Sequence, residues 1–413
     1  MAEDKVAASA ARVERARLAN RAPGLRSSPE FVALESLDRW VERHSYQAYD
    51  PFDGLSGWLR PLAVGRLGRQ LLQQGVKRFP GNLRPLLGIR PATSSKAMGY
   101  FARGYLKLYR LLDDSAYLEK ATRCLDWLQQ HHSRGYSGLC WGNHFEYQSR
   151  LFHLPAGVPT IVWTAHIGQA FLDAWELTNQ STYLEVTRSI CRFILTDLER
   201  RPERTGVCIS YVPHLYSAVH NANLLGAALL ARAYAHTRDE DCESAAKQAV
   251  AYTVGHQRPD GSWWYGEADD LHWVDNFHTG YVLDALWGYM EGTGDRSAAR
   301  AFEHGADFYL RNFWLEDGTP KYYPHRAWPI DIQCASQAIE TLTLLARVLD
   351  SRHLRLAEKV ATWTIANLQD PDGHFYFQRW PWRTNKTPML HWGEATMLNA
   401  LAGVLMEKSK HGD

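Results

Sequence analysis

The chain has 413 residues, 45% hydrophobic and 22% charged, with a formal net charge of +1. That balance gives no global pull toward nucleic acid or an anionic membrane, and no run of about 18 apolar residues is present to span a bilayer. A chain this long is either two domains or one large repeat-built unit, and the repeat described next selects the second.

The start, MAEDKVAASAARVERARLANRAPG, lacks the apolar centre of a secretory signal. Residues 1–30 therefore read as a flexible arm of a cytoplasmic protein, and 31–410 as one folded domain. Six cysteines are scattered without a C-x-x-C pair, which argues for buried reduced thiols and against a zinc or redox motif.

A helical segment, SSKAMGYFARGYLKLYRLL, opens near Ser94. Five one-sided helices follow at intervals, beginning at Tyr117, Tyr183, Cys242, Ser297 and His353. Each leads through a turn and a short β-like stretch (SGLCWG, TGVCISY, DGSWWYG, DGTPKYY, DGHFYFQ) into a second helix that is small and apolar nearly all round. Helices apolar around their circumference are buried, and one-sided helices cover a surface. The six apolar helices, starting near residues 94, 160, 219, 277, 333 and 391, recur about every 58 residues. They predict the inner ring of an all-α (α/α)6 toroid, with the other set outside. The sixth outer helix must come from the N-terminal region, either ESLDRWVERHSY or the segment from Gly57 to Gly75; the alternative is an open solenoid.

Every β-like stretch precedes the N-terminus of an inner helix, so all of them gather at one mouth. Polar residues collect there: Lys96; Trp163, His166 and Gln169; His220, Asn221 and Asn223; Asp275, Asn276 and His278; Asp331, Gln333 and Gln337; His391, Trp392 and Glu394. Asp275, Asp331 and Asn221 also sit where helix caps belong. The loops add Trp141, Trp263, Trp264, Tyr322 and the cations Arg150, Lys321, Arg383 and Lys386. Aromatic platforms with amides, carboxylates and cations suit a sugar, and converging helix N-termini favour an anionic one.

Two mechanisms fit these residue types. Proton transfer beside a carboxylate would use His220, His278 and Tyr322, with Asp275 orienting, Arg150 and Lys386 holding the anion, and Trp141, Trp263 and Trp392 as platforms. Glycoside hydrolysis would use paired carboxylates, Asp275 and Asp331, with Glu394 also at the mouth. A non-catalytic glycan-binding scaffold is a third reading. Asp50 and Asp53 in YDPFDG could hold a cation or form an Asx turn; no cofactor and no required metal is expected, and flat outer faces are compatible with a homodimer.

Two resemblances rest on these motifs. QRPDGSW from Gln257 and QDPDGHF from Gln369 look like the QW repeats of terpenoid cyclases, which are also α/α toroids, although the DxDD element of a class II cyclase is missing. More of the chain, from about Tyr49 to Leu405, resembles the VpsJ-type proteins of bacterial polysaccharide clusters, through YDPFDG, NLRPLLGI, WGNHFEYQSR, HNANLLGAALLAR, DGSWWYGE, VDNFHTGYVLDAL, FWLEDGTPKYYPH, PIDIQCASQAIETL and TNKTPMLHWGEATM. In that family the last motif often carries Gln where this chain has Glu394. The resemblance implies a six-hairpin, glycosidase-like toroid working in exopolysaccharide or lipopolysaccharide assembly on an anionic glycan or lipid-linked oligosaccharide, by epimerase- or lyase-like acid–base chemistry.

Overall fold

A computed structural model describes residues 24–411, so most of the expected 1–30 arm lies outside the described residues. Six inner helices carry the ring: α3 (Ser95–Leu112), α5 (Ile161–Thr178), α7 (His220–Thr237), α9 (Asn276–Thr293), α11 (Ile332–Val348) and α13 (Ala395–His411). Each packs on the next, and α13 packs back on α3, which closes the circle. Outside them lie α4 (Ser115–Gln130), α6 (Ser181–Thr196), α8 (Glu240–Gly255), α10 (Ala299–Asn312), α12 (His353–Leu368) and α1 (Pro29–Arg43). A further helix, α2 (Gly65–Arg78), belongs to neither ring.

The order of the outer ring follows from three Asp-Gly turns. Gly261, Gly318 and Gly373 have φ of +92°, +92° and +114°, a region closed to side chains, and Asp260, Asp317 and Asp372 each accept the N–H two residues on, at 3.0, 2.9 and 3.1 Å. A Cβ on these glycines would strike the backbone of His304, Lys359 and Ser36 respectively. Each turn thus rests against the next outer helix: α10, α12, then α1. Gln257 and Gln369 add a clip, donating at 2.8 and 2.9 Å to Ala301 of α10 and Ala33 of α1. Of the two candidates for the sixth outer helix, ESLDRWVERHSY closes the ring through α1, whose Leu34, Leu37, Trp40 and Val41 are buried.

The hairpins are tied at the mouth by one repeated hydrogen bond. The first residue of an inner segment donates its N–H to an aromatic carbonyl in the next loop: Ile161 to Tyr211 (3.0 Å), His220 to Tyr265 (3.1 Å), Asn276 to Tyr322 (3.0 Å), Ile332 to Phe377 (3.1 Å) and Leu390 to Tyr49 (2.9 Å). An N–H at a helix start has no partner in its own helix, so each bond satisfies a buried donor while fixing the loop. The β-like stretches form short antiparallel pairs: β1 (Tyr147–Gln148) with β2 (His153–Leu154), β3 (Arg200–Pro202) with β4 (Val207–Ile209), and a sheet ordered β5 (Ile330–Asp331), β6 (Gln378–Trp380), β7 (Arg383–Asn385). All six cysteines are buried and unpaired. Among the described residues no helix is long and apolar enough to cross a membrane.

Candidate active site

Position along the inner helix decides where a polar side chain points. Two residues past the first, Trp163 of α5 and His278 of α9 reach the hollow; three further, His166 and Tyr281 meet near the axis, ring centroids 5.0 Å apart. The Tyr100 hydroxyl lies 3.1 Å from His166 Nδ1 and 3.3 Å from the Tyr281 hydroxyl across the ring, and Gln333 Nε2 donates to Tyr281 at 3.1 Å. These side chains form a floor. Beyond it, Asp173 bridges Arg103 and Arg232 at 2.8 and 2.7 Å.

Above the floor, Lys96 is 3% exposed and its Nζ sits 5.0 Å from the Trp163 ring centroid, 5.6 Å from that of Tyr281 and 5.7 Å from that of Tyr100. Among the described residues no carboxylate is paired with it. Burial disfavours the ammonium and pushes its pKa down to about 7, against a weaker upward pull from Asp50. Beside it, His391 packs 4.9 Å from Trp163, with Nδ1 against Asp50 Oδ2. Burial holds the His391 imidazole below its usual range despite that carboxylate.

One wall is built by α9. Asp275 caps it, its Oδ1 accepting the His278 N–H at 3.0 Å while Oδ2 accepts Trp273 Nε1 at 3.0 Å and lies 2.7 Å from His278 Nδ1. The carboxylate is 1% exposed and the imidazole 20%, and among the described residues His278 Nε2 has no hydrogen-bond partner. Asn221, Trp264, Tyr265, Trp273 and Asp275 surround His278 in a cavity of about 10 Å³, room for one water. Asn221 Oδ1 is buried there without a partner. Arg150 covers the rim, its guanidinium 5.0 Å from the Trp273 ring. Tyr322 shares Phe277 with His278, at centroid distances of 5.9 and 3.9 Å; burial, with the Asp275 and Asp331 charges, keeps its phenol protonated far above neutrality.

Several expected site residues are struts. His220 does not reach the hollow: Nε2 lies 2.6 Å from Glu267 and Nδ1 3.3 Å from Thr253 of α8, so both ring nitrogens are engaged. Trp141 is turned away from the hollow, its indole N–H donating to the Leu128 carbonyl at the end of an outer helix at 3.0 Å; Trp263 lines the cavity beside His278 while its indole N–H donates to the Thr253 carbonyl at 2.8 Å. Asn223 accepts the Ile209 N–H at 2.9 Å and donates to Ala249 at 2.8 Å. Glu394 is fully buried and accepts the Phe375 N–H at 2.9 Å, and burial raises its pKa well above the usual carboxylate range. Lys321 donates to Pro324 within its own loop, and Lys386 lies over Tyr376 and near Asp370.

Asp331 caps α11 and is buried, with every oxygen taken: Oδ1 by Gln333 N–H and Trp392 Nε1, Oδ2 by Gln378 Nε2, at 2.9, 2.8 and 2.6 Å. It aims Trp392, which packs 5.4 Å from Phe277. In YDPFDG, Asp50 accepts the Phe52 N–H at 3.0 Å and Asp53 pairs with buried Arg84 at 2.7 Å, so the Asx-turn reading describes the geometry. Sequence reasoning missed the N-terminal cover of the mouth, where Lys77 of α2 lies 4.1 Å over Phe52 and 5.5 Å from Trp392. Lys77 sits in a stretch without acidic residues, which was the available signal.

No protein-family model and no curated protein matches the sequence. Solved structures do match. Cellobiose 2-epimerase from Bacillus thermoamylovorans aligns at 14% identity and a TM-score of 0.59, over 77% of this chain and 88% of that one. A GH76 α-mannanase from Bacteroides thetaiotaomicron aligns at 14% and 0.58, over 77% and 87%, and a polysaccharide lyase at 12% and 0.53, over 76% and 90%. The shared fold is the (α/α)6 toroid. At such identities the likeness is one of architecture, and it carries no residue roles.

Proposed function

We propose that the chain is a carbohydrate-active enzyme that moves a proton at a sugar carbon, as an epimerase or lyase does, on an anionic uronate-type glycan of bacterial polysaccharide assembly, the setting that the VpsJ-type resemblance implies. The observation carrying this reading is His278: Asp275 holds its Nδ1 and leaves Nε2 open toward the hollow. That is how a general base is oriented. His278 takes the proton beside the sugar carboxylate. The Tyr322 phenol, kept protonated, donates on the other side, while Arg150 and Lys96 in its ammonium form offset charge on the enediolate. Delivery of the Tyr322 proton to the opposite face of that carbon gives epimerisation, and departure of the neighbouring ring substituent, taking that proton, gives elimination. The cavity beside His278 has room for no more than a water, so the aromatic loop carrying Trp273 must shift to admit a sugar.

Hydrolysis fits less well, because it needs carboxylates with free oxygens on both sides of the bond. Asp275 and Asp331 have none. The neighbouring structures, which include an epimerase and a lyase, support a carbohydrate substrate by analogy. The test is incubation with uronate oligosaccharides in heavy water: deuterium at a ring carbon without chain shortening, or a new absorbing double bond, is the expected product, lost in His278→Ala. A new reducing end as sole product would establish hydrolysis.

A further inference from the structure

Seven of the twelve large hydrophobic side chains that stand exposed among the described residues lie between Trp58 and Leu86. Leu62, Val64, Leu67, Leu71 and Leu86 are 66–80% exposed. Monomeric proteins rarely leave such side chains grouped without an interaction to make. Helix α2 sets the pattern: Gln73 and Val76 face the toroid, while Leu67 and Leu71, one turn apart, face outward.

The charge carried by this segment has one sign. From residue 54 to 112 the sequence has no Asp or Glu, and residues 57–90 hold seven Arg or Lys. Two of these are turned inward, Arg84 onto Asp53 and Lys77 onto Phe52, and Arg60 pairs with Glu146 at 2.5 Å, whereas Arg66, Arg78 and Arg90 are exposed. The surface continues onto the tip of the β6–β7 hairpin, where Arg383 donates to the Arg78 carbonyl at 3.4 Å and Trp382 is 78% exposed. A groove of about 340 Å³ between residues 80–82 and 384–388 adds Lys386, whose ammonium lies 3.6 Å from Asp370.

We propose that this face docks the chain onto an anionic lipid bilayer, with α2 lying in the interface. The apolar side chains project from an exposed helix edge and separate loops, as tips entering between acyl chains do, while the arginines meet lipid phosphates. A second copy would set arginine against arginine on a self-complementary interface. Because Lys77 of the same helix rests over Phe52 and Trp392, the docked face is also the cover of the mouth, and a glycan carried on a lipid would arrive beside it. The docking rests on the surface alone and stands apart from the reaction assigned to His278.

Co-sedimentation with vesicles of phosphatidylcholine, with and without phosphatidylglycerol, tests it. The intact chain pellets with the phosphatidylglycerol vesicles and is released as salt rises. Leu67→Ser with Leu71→Ser weakens the association about tenfold or more, and Arg66→Gln with Arg78→Gln about fivefold per arginine. All these side chains are exposed, so both variants melt with the parent chain. Failure of the intact chain to pellet with anionic vesicles, or equal pelleting of both double variants, overturns the proposal. So does a concentration-dependent dimer that the leucine variant disperses while vesicles bind neither protein.

Discussion

Asp275 grips His278 twice, through its backbone N–H and its ring Nδ1, so one carboxylate both starts helix α9 and aims the imidazole. These jobs separate on substitution. Asp275→Asn keeps a competent cap and should cost under about 1 kcal/mol in urea unfolding, yet it no longer enforces the tautomer and should lower turnover by about 10²-fold or more. His278→Ala should lower it at least as far. Kinetics with uronate oligosaccharides check both; unchanged turnover in the two variants would retire this site.

Lys96 yields a pH prediction. Its folded pKa, about 7, lies below its ordinary value, so between about pH 7 and 9 the unfolded chain holds this proton more tightly than the native one. Stability from Lys96 therefore rises with pH across that window and is flat below it. Lys96→Met should flatten the rise, seen as a wild-type minus variant difference in unfolding free energy that becomes more positive from pH 7 to pH 9.

Glu394 gives the opposite sign. Its folded pKa is raised, so stability is present at low pH and lost as pH climbs above the unfolded carboxylate value. Glu394→Gln can still accept the Phe375 N–H. The variant should match the parent in melting near pH 4 and exceed it near pH 8, with turnover retained.

Trp263 and Trp382 should behave unlike one another. Trp263 is wedged between rings with its indole bonded to α8, and Trp263→Ala should cost about 3–5 kcal/mol. Trp382 is mostly exposed, and Trp382→Ala should fall within about 0.5 kcal/mol. Parallel urea titrations compare them.

The toroid was legible because its signals are local. Asp-Gly turns, alternating one-sided and all-round apolar helices, and a fixed spacing survive in the sequence whatever surrounds them. The site was legible only in part, because HNAN and NFHT look alike while their histidines differ by two helical positions. His220 occupies the place of Asn276, and both turn outward: Thr253 of α8 meets the first, Tyr309 of α10 the second. His278 lies about 200° further round its helix and faces the hollow. Glu394 misled for a related reason. The π-helical turn Leu390–Glu394 inserts a residue and moves Glu394 into the strut position that Thr164 fills for the Trp141 N–H. The partner of a buried polar group lies on another hairpin, and spacing along one chain does not say which side that hairpin takes.

The bond from Leu390 to Tyr49 joins points 341 positions apart, since 390 − 49 = 341. During synthesis the first outer helix must therefore wait, with Leu34, Leu37 and Trp40 uncovered, until the last inner helix has left the ribosome. An incomplete chain carries an apolar stripe at each open end, which makes late truncations targets for chaperones and proteases. Conversely, a permuted gene that links α13 to α1 and opens a surface loop elsewhere should give the same ring, because five of the six junctions, the closing one included, are tied by the same kind of bond.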